Sequence, residues 1–422
     1  MKRNTRTFAT RLLLAVGLIS LSAPAFADFI KDSKTSLELR NFYFNRDYRQ
    51  ANAAQSKQEE WAQGFLLRYE SGYTEGLIGV GFDAIGLLGV KLDSSPDRAG
   101  SGLLKRHSDT RKGTQDEYGE LGLTAKMRAS KSVLKIGTLM PKLPTVLAND
   151  SRLLPQTFEG GQLTSLDIDA LVVDVGRLTQ VNQRDSSDYE NMTITRTGAK
   201  GFTSRQVTSD SFDFASLNYK WTGNLATGYA YGHLDNVYDQ HMINLTYVLP
   251  VATGQSLKSD LRFARSTDDG GSNVDNKAFG AMFTYGLGGH AFGLGYQDMS
   301  GDTGFAYING TDAFLVNFVQ ISDFASKDEQ SWQVRYDYNF AAIGIPGLTF
   351  MTRYLNGSNI DLGSNRNEGK EWERDTDIGY VVQSGPLKNI GVKWRNATVR
   401  STNFGSDLDE NRLIISYTLP IW

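Results

Sequence analysis

Arginine and lysine side chains recur at every second position in several segments of this 422-residue sequence. Near the C-terminal end, Lys393 and Arg395 alternate with Val392 and Trp394. A guanidinium group stays charged at any physiological pH, and its planar pair of N–H donors matches the two oxygens of a carboxylate. A row of such groups along one side of a strand is therefore suited to binding a carboxylate-bearing anion and passing it on.

The free energy of burying charge indicates which way these basic residues point. An arginine or lysine that faces lipid at the middle of a bilayer costs roughly 2–4 kcal/mol. If these segments are strands that cross a membrane, their basic residues must therefore face a water-filled interior. We predict a basic ladder along that lumen, and its members on the strands are Arg40, Arg68, Arg128, Arg262, Arg335, Arg353, Lys393, Arg395 and Arg412.

Acidic residues share the predicted lumen face, among them Glu38, Asp260, Asp337 and Asp377. A lumen arginine that pairs with such an acid would brace the wall of the protein and bind no solute. Both interpretations stay open for each arginine, because the sequence does not state which charges are paired.

The sequence offers little for enzyme chemistry. It contains no cysteine and four histidines, namely His107, His233, His241 and His290. A hydrolase needs a nucleophile, a base and an orienting group within mutual reach, and none of these histidines belongs to a recognisable nucleophile motif. We therefore expect a protein that is not an enzyme and that uses no cofactor, metal or nucleotide.

The segments that carry the basic residues have the period of β-strands. From Ser331 to Phe340, large apolar residues occupy one set of alternate positions and polar residues occupy the other. The same period holds in Leu348 to Tyr354 and in Ile390 to Asn396. Strict alternation over such lengths is typical of a strand with two different faces.

A soluble β-sandwich would also alternate, but two features favour a transmembrane antiparallel β-barrel. The apolar faces are rich in Tyr and Trp near the strand ends, where interface girdles lie. Connections also alternate between short turns, such as Thr222 to Asn224, and long loops, such as Leu92 to Asp116. We count about eighteen strands between Ser36 and Trp422. Side chains cannot fill a barrel of roughly 16–18 strands, so an aqueous channel is expected.

The N-terminal segment predicts export. Met1 to Ala27 has a basic start, an apolar run from Leu12 to Leu21 and small residues before Asp28, as a cleaved signal peptide does. The run is too short for a membrane helix, which needs about 20 residues. Removing four positive charges from a formal net charge of −3 leaves the domain from residue 28 to residue 422 near −7. Nucleic acid is therefore not expected as a partner.

One long connection is unusually apolar. Pro141 to about Thr164 contains three prolines and several leucines but few charges. We predict that it folds into the barrel as a constriction loop with Arg152 and Asp150 near the narrowest point, although an external lid would have a similar composition. The connection from Thr303 to Gln330 is also apolar in part, and Asp323 is a candidate acid facing the arginines.

The sequence resembles the OprD family of substrate-specific outer-membrane channels of pseudomonads. The resemblance covers essentially the whole chain after the signal peptide and is carried by LRNFYFNRDY (Leu39 to Tyr48), SWQVRYDYNFAAIGIPGLTFMTRYLNG (Ser331 to Gly357) and above all NDSRLLPQTFEGG (Asn149 to Gly161). It implies an eighteen-stranded barrel, pinched by inward-folded loops, with a basic ladder that leads carboxylates to the constriction. Arg152 matches the family's arginine within the constriction loop.

The family contains channels for basic amino acids and channels for monocarboxylates, often aromatic acids. The segment from Gly160 to Glu190 looks more like the second branch, which implies benzoate-like substrates. A channel for basic amino acids or peptides, a non-selective diffusion porin and a barrel with a plugged lumen are the alternatives. Outer-membrane lipid, lipopolysaccharide and small carboxylates are the expected partners, and the barrel is expected to be a monomer or a weak homotrimer.

Overall fold

The structure is a computed structural model that describes residues 29–51, 53–364 and 366–422. The predicted signal peptide and its cleavage before Asp28 lie outside the described residues. Within the described part of the chain, no helix has both the length and the apolar character needed to cross a bilayer. The segments that build the structure are instead strands.

Eighteen antiparallel strands form a closed barrel within the described residues, which confirms the predicted barrel, and a two-residue strand, Tyr189–Glu190, joins the sheet at its rim. The strands are β1 (Lys34–Tyr48), β2 (Lys57–Glu70), β3 (Ile78–Asp93), β4 (Glu117–Ala129), β5 (Ser132–Leu139), β6 (Thr157–Ser165), β7 (Leu171–Asn182), β8 (Phe212–Lys220), β9 (Leu225–Leu234), β10 (Tyr238–Ala252), β11 (Gln255–Asp268), β12 (Asp275–Leu287), β13 (His290–Ser300), β14 (Gln330–Asn339), β15 (Leu348–Ile360), β16 (Gly369–Val381), β17 (Gly391–Thr402) and β18 (Leu408–Pro420).

The first and last strands close the barrel. β1 pairs with β18 from Ser36 opposite Pro420 to Tyr48 opposite Leu408. The amide of Thr35 donates to the carbonyl of Trp422 at 3.0 Å and extends this seam. Hydrocarbon offers no partner to an unpaired backbone group, so closure is what allows the sheet to lie in a membrane.

Alternate residues of each strand face opposite sides of the wall. In β4, Tyr118 and Lys126 are buried at 4% and 7% exposure, whereas Leu121 and Leu123 are 78% and 62% exposed. Exposed leucines on the outer face and buried polar side chains on the inner face invert the pattern of a soluble domain. The outer face therefore suits lipid and the inner face suits water.

Aromatic side chains form two rows on the outer face. In one row Trp332, Tyr354 and Trp372 lie on three neighbouring strands, with ring centroids 5.6 and 5.7 Å apart. In the other, near the opposite strand ends, Tyr338 packs on Phe340 with a centroid distance of 4.6 Å. Amphipathic rings at both strand ends are typical of the two membrane–water interfaces.

The two ends of the barrel differ in the length of their connections. One end carries tight turns such as 130–131, 253–254 and 288–289, and the other carries long loops such as 94–116 and 183–211. Outer-membrane barrels have short turns on the periplasmic side and long loops outside. The end with the tight turns, near both Lys34 and Pro420, is therefore periplasmic.

Two of the long loops fold into the barrel. The first inward loop, residues 140–156, buries Leu153 and Leu154 against the inner face of β1 to β3. The second inward loop, residues 301–329, buries Phe305 and Tyr307 against the inner face of β9 to β13. The predicted constriction loop was too long, because residues 157–164 belong to strand β6. Gly160 and Gly161 lack side chains, so the alternation of that strand cannot be recognised in the sequence.

Candidate functional site

Arg40 attaches the first inward loop to the barrel wall. Its guanidinium group lies 2.7 Å from an Asp150 oxygen and 2.7 Å from a Glu38 oxygen. It also donates to the carbonyls of Arg152 at 2.9 Å and Leu153 at 3.3 Å. One arginine of β1 thus holds both a carboxylate and two backbone carbonyls of the loop, which fixes the height at which the loop crosses the lumen.

An apolar cluster supports the same loop. Leu153 is fully buried and packs with Phe42, Phe44 and Leu66 on the inner face of β1 and β2. These phenylalanines alternate with outward residues in the segment LRNFYFNRDY, so the strand period presents them to the lumen. A water-filled channel would not tolerate exposed phenylalanines there, and the loop is what covers them.

Acidic residues of the wall attach the second inward loop. Glu373 of β16 accepts hydrogen bonds from the backbone amides of Ile321 at 2.9 Å and Ser322 at 2.7 Å. Glu371, two positions earlier on the same face, accepts from the Ser322 hydroxyl at 2.9 Å. From β18, Arg412 donates to the carbonyl of Gln320 at 3.2 Å.

The two inward loops and the wall enclose a cavity of about 350 Å³, called here the constriction cavity. It brings together predicted ladder members Arg152, Arg395 and Arg412 with the predicted acid Asp323. Its lining also includes Arg184, Asp312 and Tyr307 from the loops. Four arginines and two aspartates therefore line the same small space.

Arg152 is buried in this lining without a carboxylate to balance it. Its Nε donates to the carbonyl of Ser101 at 3.1 Å, and the guanidinium carbon lies 5.3 Å from the centroid of the Phe44 ring. Among the described residues, none forms an ion pair with Arg152. Burial lowers the pKa of Arg152, and the nearby charges of Arg412 and Arg184 lower it further. The charged form is thus destabilised in place, and an anion in the cavity would relieve it.

Arg184 is likewise buried in the lining of the constriction cavity without an ion pair. It donates to the side chains of Asn149 at 2.7 Å and Ser151 at 2.8 Å, both in the first inward loop. Burial lowers the pKa of the Arg184 guanidinium. No described carboxylate lies within ion-pair distance of it. Arg152 and Arg184 are called the open arginines below, because each has N–H donors in the cavity and no ion pair.

The two aspartates of the cavity are already engaged. Asp323 accepts from Lys200 at 2.7 Å and from the Tyr307 hydroxyl at 2.8 Å, and both of its partners are buried. Asp312 accepts from the Asn149 amide, and burial raises its pKa. The predicted acid Asp323 is therefore neutralised by a lysine, and the open arginines set the sign of the cavity.

Most of the other predicted ladder residues pair with wall carboxylates. Arg353 lies 2.7 Å from Asp375, and Lys393 and Arg395 share Asp377 at 3.1 Å each. Arg412 pairs with Glu410 at 2.6 Å, and Arg68 with Glu38 at 3.1 Å.

Two ladder residues are braced within their own strands. Arg262 pairs with Asp260 at 2.8 Å and Arg335 with Asp337 at 2.7 Å, in each case two positions away on the same face. Arg128 instead stacks on Tyr73, with its guanidinium carbon 4.5 Å from the ring centroid. All of these residues face the lumen as predicted, but the structure gathers only Arg152, Arg395 and Arg412 at the constriction.

Sequence reasoning missed several residues of this site. Arg184 and Lys200 lie in a long loop with no periodic pattern, so nothing local indicates that they reach the constriction. The acids Glu371, Glu373 and Asp375 had a visible signal, because they stand in the same alternate phase as Asp377.

The histidines of the strands lie away from this cavity. His241 pairs with the hydroxyl of Tyr229 and His290 with that of Tyr336, in both cases on the outer face. His233 lies 3.0 Å from Asp239 near the external rim. These contacts are cross-strand hydrogen bonds between neighbours, and none adjoins a nucleophile in the lumen.

The chain matches the model of the family described as outer membrane porin, OprD family, over residues 27–421. It is 39% identical over 412 residues to the porin-like protein GalP of Pseudomonas putida, which covers 95% of this chain and 96% of GalP. It is 38% identical over 439 residues to porin D of Pseudomonas aeruginosa, with 98% and 96% covered. The crystal structure of Pseudomonas aeruginosa OpdQ is similar at 68% identity and a TM-score of 0.87, with 94% of this chain and 100% of OpdQ covered.

Proposed function

The chain belongs to the OprD family of outer membrane porins, and we propose that within this family it passes small carboxylate-containing solutes, with benzoate-like monocarboxylates favoured. As a family member with a barrel fold, it is a substrate-specific channel of the bacterial outer membrane and not an enzyme. The proposed movement is passive, down the solute's own gradient, and needs no nucleotide, cofactor or metal.

The open arginines carry this proposal. Arg152 and Arg184 present buried positive charge to the constriction cavity. Asp323 instead forms an ion pair with Lys200, and Asp312 accepts a hydrogen bond from the Asn149 amide. A carboxylate that enters the cavity would meet two guanidinium groups without displacing an ion pair. In a narrow space of low dielectric such a contact is stronger than it would be in bulk water.

The paired ladder residues contribute by a different route. Arg395 and Arg353 each have one wall carboxylate as partner, and a passing anion would compete with it. We therefore assign them a weaker role in lowering the barrier on either side of the cavity. Arg262 and Arg335 are braced within their own strands, and we assign them a mainly structural role.

A channel for basic amino acids is the alternative within the family. It is favoured by the acid column of β16, which places Glu371, Glu373, Asp375 and Asp377 on the lumen face. All four acids are buried: Glu371 and Glu373 lie against the second inward loop, and Asp375 and Asp377 pair with basic residues of the wall, so none is displayed to a solute. A non-selective diffusion porin would be indifferent to the charge of every one of these residues.

Uptake into liposomes tests the proposal. Purified protein is reconstituted, and the initial rate of benzoate entry is compared for the wild type, Arg152→Ala, Arg184→Gln, Arg395→Ala and Arg353→Ala. Losing a hydrogen bond to a charged partner is expected to slow benzoate about tenfold for the two open arginines, and by less for Arg395 and Arg353. Lys277→Gln removes a positive charge from the outer face of β12 and serves as the matched control.

The outcome separates the three functions. The proposal is supported if benzoate competes better than arginine for entry, and if benzoate entry is slowed most in Arg152→Ala and Arg184→Gln and less in Arg395→Ala and Arg353→Ala. Faster entry of arginine than benzoate in the wild type would indicate the basic amino acid branch. Equal rates in all variants would indicate a non-selective pore and would overturn the role of the ladder.

Contacts of the outer wall complete the proposed assembly. The exposed leucines and aromatic rows are suited to lipid, and the long loops lie where lipopolysaccharide would surround them. We propose that the barrel works as a monomer or a weak homotrimer, each protomer with its own lumen.

A further inference from the structure

A second cavity lies in the periplasmic half of the lumen, beyond the constriction. It measures about 470 Å³ and is lined by residues near the periplasmic ends of strands β2 to β6, including Arg68, Lys135 and Thr164. Met140, where the first inward loop begins, lies at its border. We call it the exit cavity, because a solute moving inward meets it after the constriction. Its size is that of small-molecule sites.

Two cations of the exit cavity have donors to spare. Arg68 uses Nη1 for Glu38 at 3.1 Å, and within the described part of the chain no bond engages its Nε or Nη2. Lys135 makes one contact, with Asp83 at 3.0 Å, and its side chain is 45% exposed. An ammonium group has three N–H donors. Each residue can therefore bind a carboxylate oxygen without breaking its existing ion pair.

The acids beside these cations are in the minority. Asp83 is shared between Lys126 at 2.5 Å and Lys135 at 3.0 Å. The Tyr73 ring on the cavity wall carries Lys126 and Arg128 against its face, at 4.9 and 4.5 Å from its centroid. Glu70 also lines the cavity, so Glu38, Asp83 and Glu70 lie among four cations, Arg68, Lys126, Arg128 and Lys135. The local balance of charge thus favours an anion.

Part of the remaining wall is apolar. Ile85, Val133 and Leu139 line the exit cavity together with the Tyr73 ring. A small aliphatic acid would gain little from such a surface, whereas a planar ring would remove apolar area from water on both molecules. An apolar surface beside spare cationic donors supplies the two parts that an aromatic carboxylate requires, and Ile85 lies opposite Arg68 in the pairing of β2 with β3.

We propose that the exit cavity is a binding site for aromatic monocarboxylates, with Arg68 and Lys135 holding the carboxylate and the Ile85–Val133–Leu139 wall holding the ring. This inference rests on the proposed function and makes it more specific. It assigns the preference for a ring to a place after the constriction, while the open arginines select for the carboxylate.

Current blockade in planar bilayers tests the site. Benzoate is added on the periplasmic side of single oriented channels, and the mean duration of its blockades is measured for the wild type, Lys135→Gln and Arg68→Gln. Each substitution removes a charged donor, so we expect blockades about tenfold shorter. Lys258→Gln is the matched control, because Lys258 faces the lumen from β11 and does not line the exit cavity.

A second variant tests the ring. Val133→Asn places a polar group on the apolar wall, and we expect the half-blocking concentration of benzoate to rise several-fold while that of acetate stays within twofold. Heat-modifiable mobility on gels verifies that each variant is a folded barrel.

The outcomes are distinguishable. Equal effects of Lys135→Gln and Lys258→Gln, or equal shifts of benzoate and acetate in Val133→Asn, would show that the exit cavity is not a site. If the wild-type channel takes up benzoate into liposomes but these variants behave as wild type, the exit site alone is wrong. If the wild type passes no carboxylate, both proposals fail.

Discussion

The two inward loops occupy the same lumen but are held by opposite chemistry. The first inward loop offers a carboxylate and carbonyl oxygens to a basic wall residue, Arg40, and buries leucines on phenylalanines. The second offers backbone amides to acidic wall residues, Glu373 above all. Charges on the inner wall therefore either attach a loop or face the solute. A lumen arginine or glutamate cannot be assigned to the solute path from its position on the wall alone.

This difference also explains where the free charge lies. Because the first loop uses its one acid, Asp150, and two carbonyls to bind Arg40, it leaves Arg152 and Arg184 without carboxylate partners. The second loop carries the acid Asp323, which forms an ion pair with Lys200 of the loop 183–211. An asymmetric attachment of two loops thus leaves net positive charge between them.

The largest expected effect follows from Arg40→Ala. The substitution removes an ion pair with the half-exposed Asp150 and two hydrogen bonds to carbonyls of the first loop, which we expect to cost about 2–3 kcal/mol of the free energy that holds the loop in place. The released loop should raise single-channel conductance more than twofold and add gating noise. Arg40→Lys, which keeps the charge, should restore part of the wild-type behaviour. Unchanged conductance in Arg40→Ala would show that the loop does not depend on this contact.

Glu373→Gln should loosen only the second loop. The amide can accept from one backbone N–H but would turn donors toward the other, leaving it unsatisfied at a cost of about 1–2 kcal/mol. Hydrogen exchange should accelerate at the Ile321 and Ser322 amides and stay unchanged at residues 149–154. Equal acceleration in both loops would contradict the separate attachments described above.

A smaller, pH-dependent effect is expected from Glu329 at the end of the second loop. Burial raises the pKa of Glu329 well above its ordinary value of 4.5, and the negative charges of Glu371 and Asp323 raise it further, while Lys200 opposes them. The folded protein then holds a proton that the unfolded chain releases, so this group destabilises the native loop increasingly as pH rises above about 4.5.

Channel recordings across a pH series measure this effect. In the wild type, fluctuations of the second loop should become more frequent toward alkaline pH. Glu329→Gln carries no titratable group and should give a flat profile, with Glu368→Gln in an exposed loop as the matched control. An equally steep profile in Glu329→Gln would exclude this carboxyl as the cause.

The smallest effect is expected for Arg335→Ala. Arg335 is partly exposed in the lumen, pairs with Asp337 two positions away on its own strand, and attaches neither loop. Such pairs contribute about 0–1 kcal/mol. Thermal unfolding and conductance should therefore stay close to those of the wild type. A loss of conductance as large as that in Arg40→Ala would remove the distinction between bracing and attaching residues.

The barrel was predictable because its rule is local. Each residue from Trp332 to Tyr338 faces lipid or water according to its parity, and the desolvation of one arginine is enough to choose between the two registers. The boundary of β6 was not predictable in the same way, because two glycines and a bulge between Glu159 and Gly160 interrupt the alternation there.

The site was predictable only in part because its contacts are not local. Arg152 could be placed at the constriction from the composition of its loop, but its lack of a carboxylate partner depends on where Arg412 and Arg184 end up. Asp323 was a sound candidate for the cavity, yet its charge is neutralised by Lys200, which is 123 positions away. Pairing across such separations is decided by tertiary structure, and no periodicity records it.

The seam between β1 and β18 has a consequence for assembly. It joins residues nearly four hundred positions apart, so it has the highest sequence separation of the strand pairs described here. Closing so long a loop of chain carries the greatest entropic penalty, and until it forms both flanking strands have free edges. We therefore expect the seam to form last during insertion. Until then the sheet is open between β1 and β18, and the lumen becomes separated from the surrounding lipid only when these two strands pair.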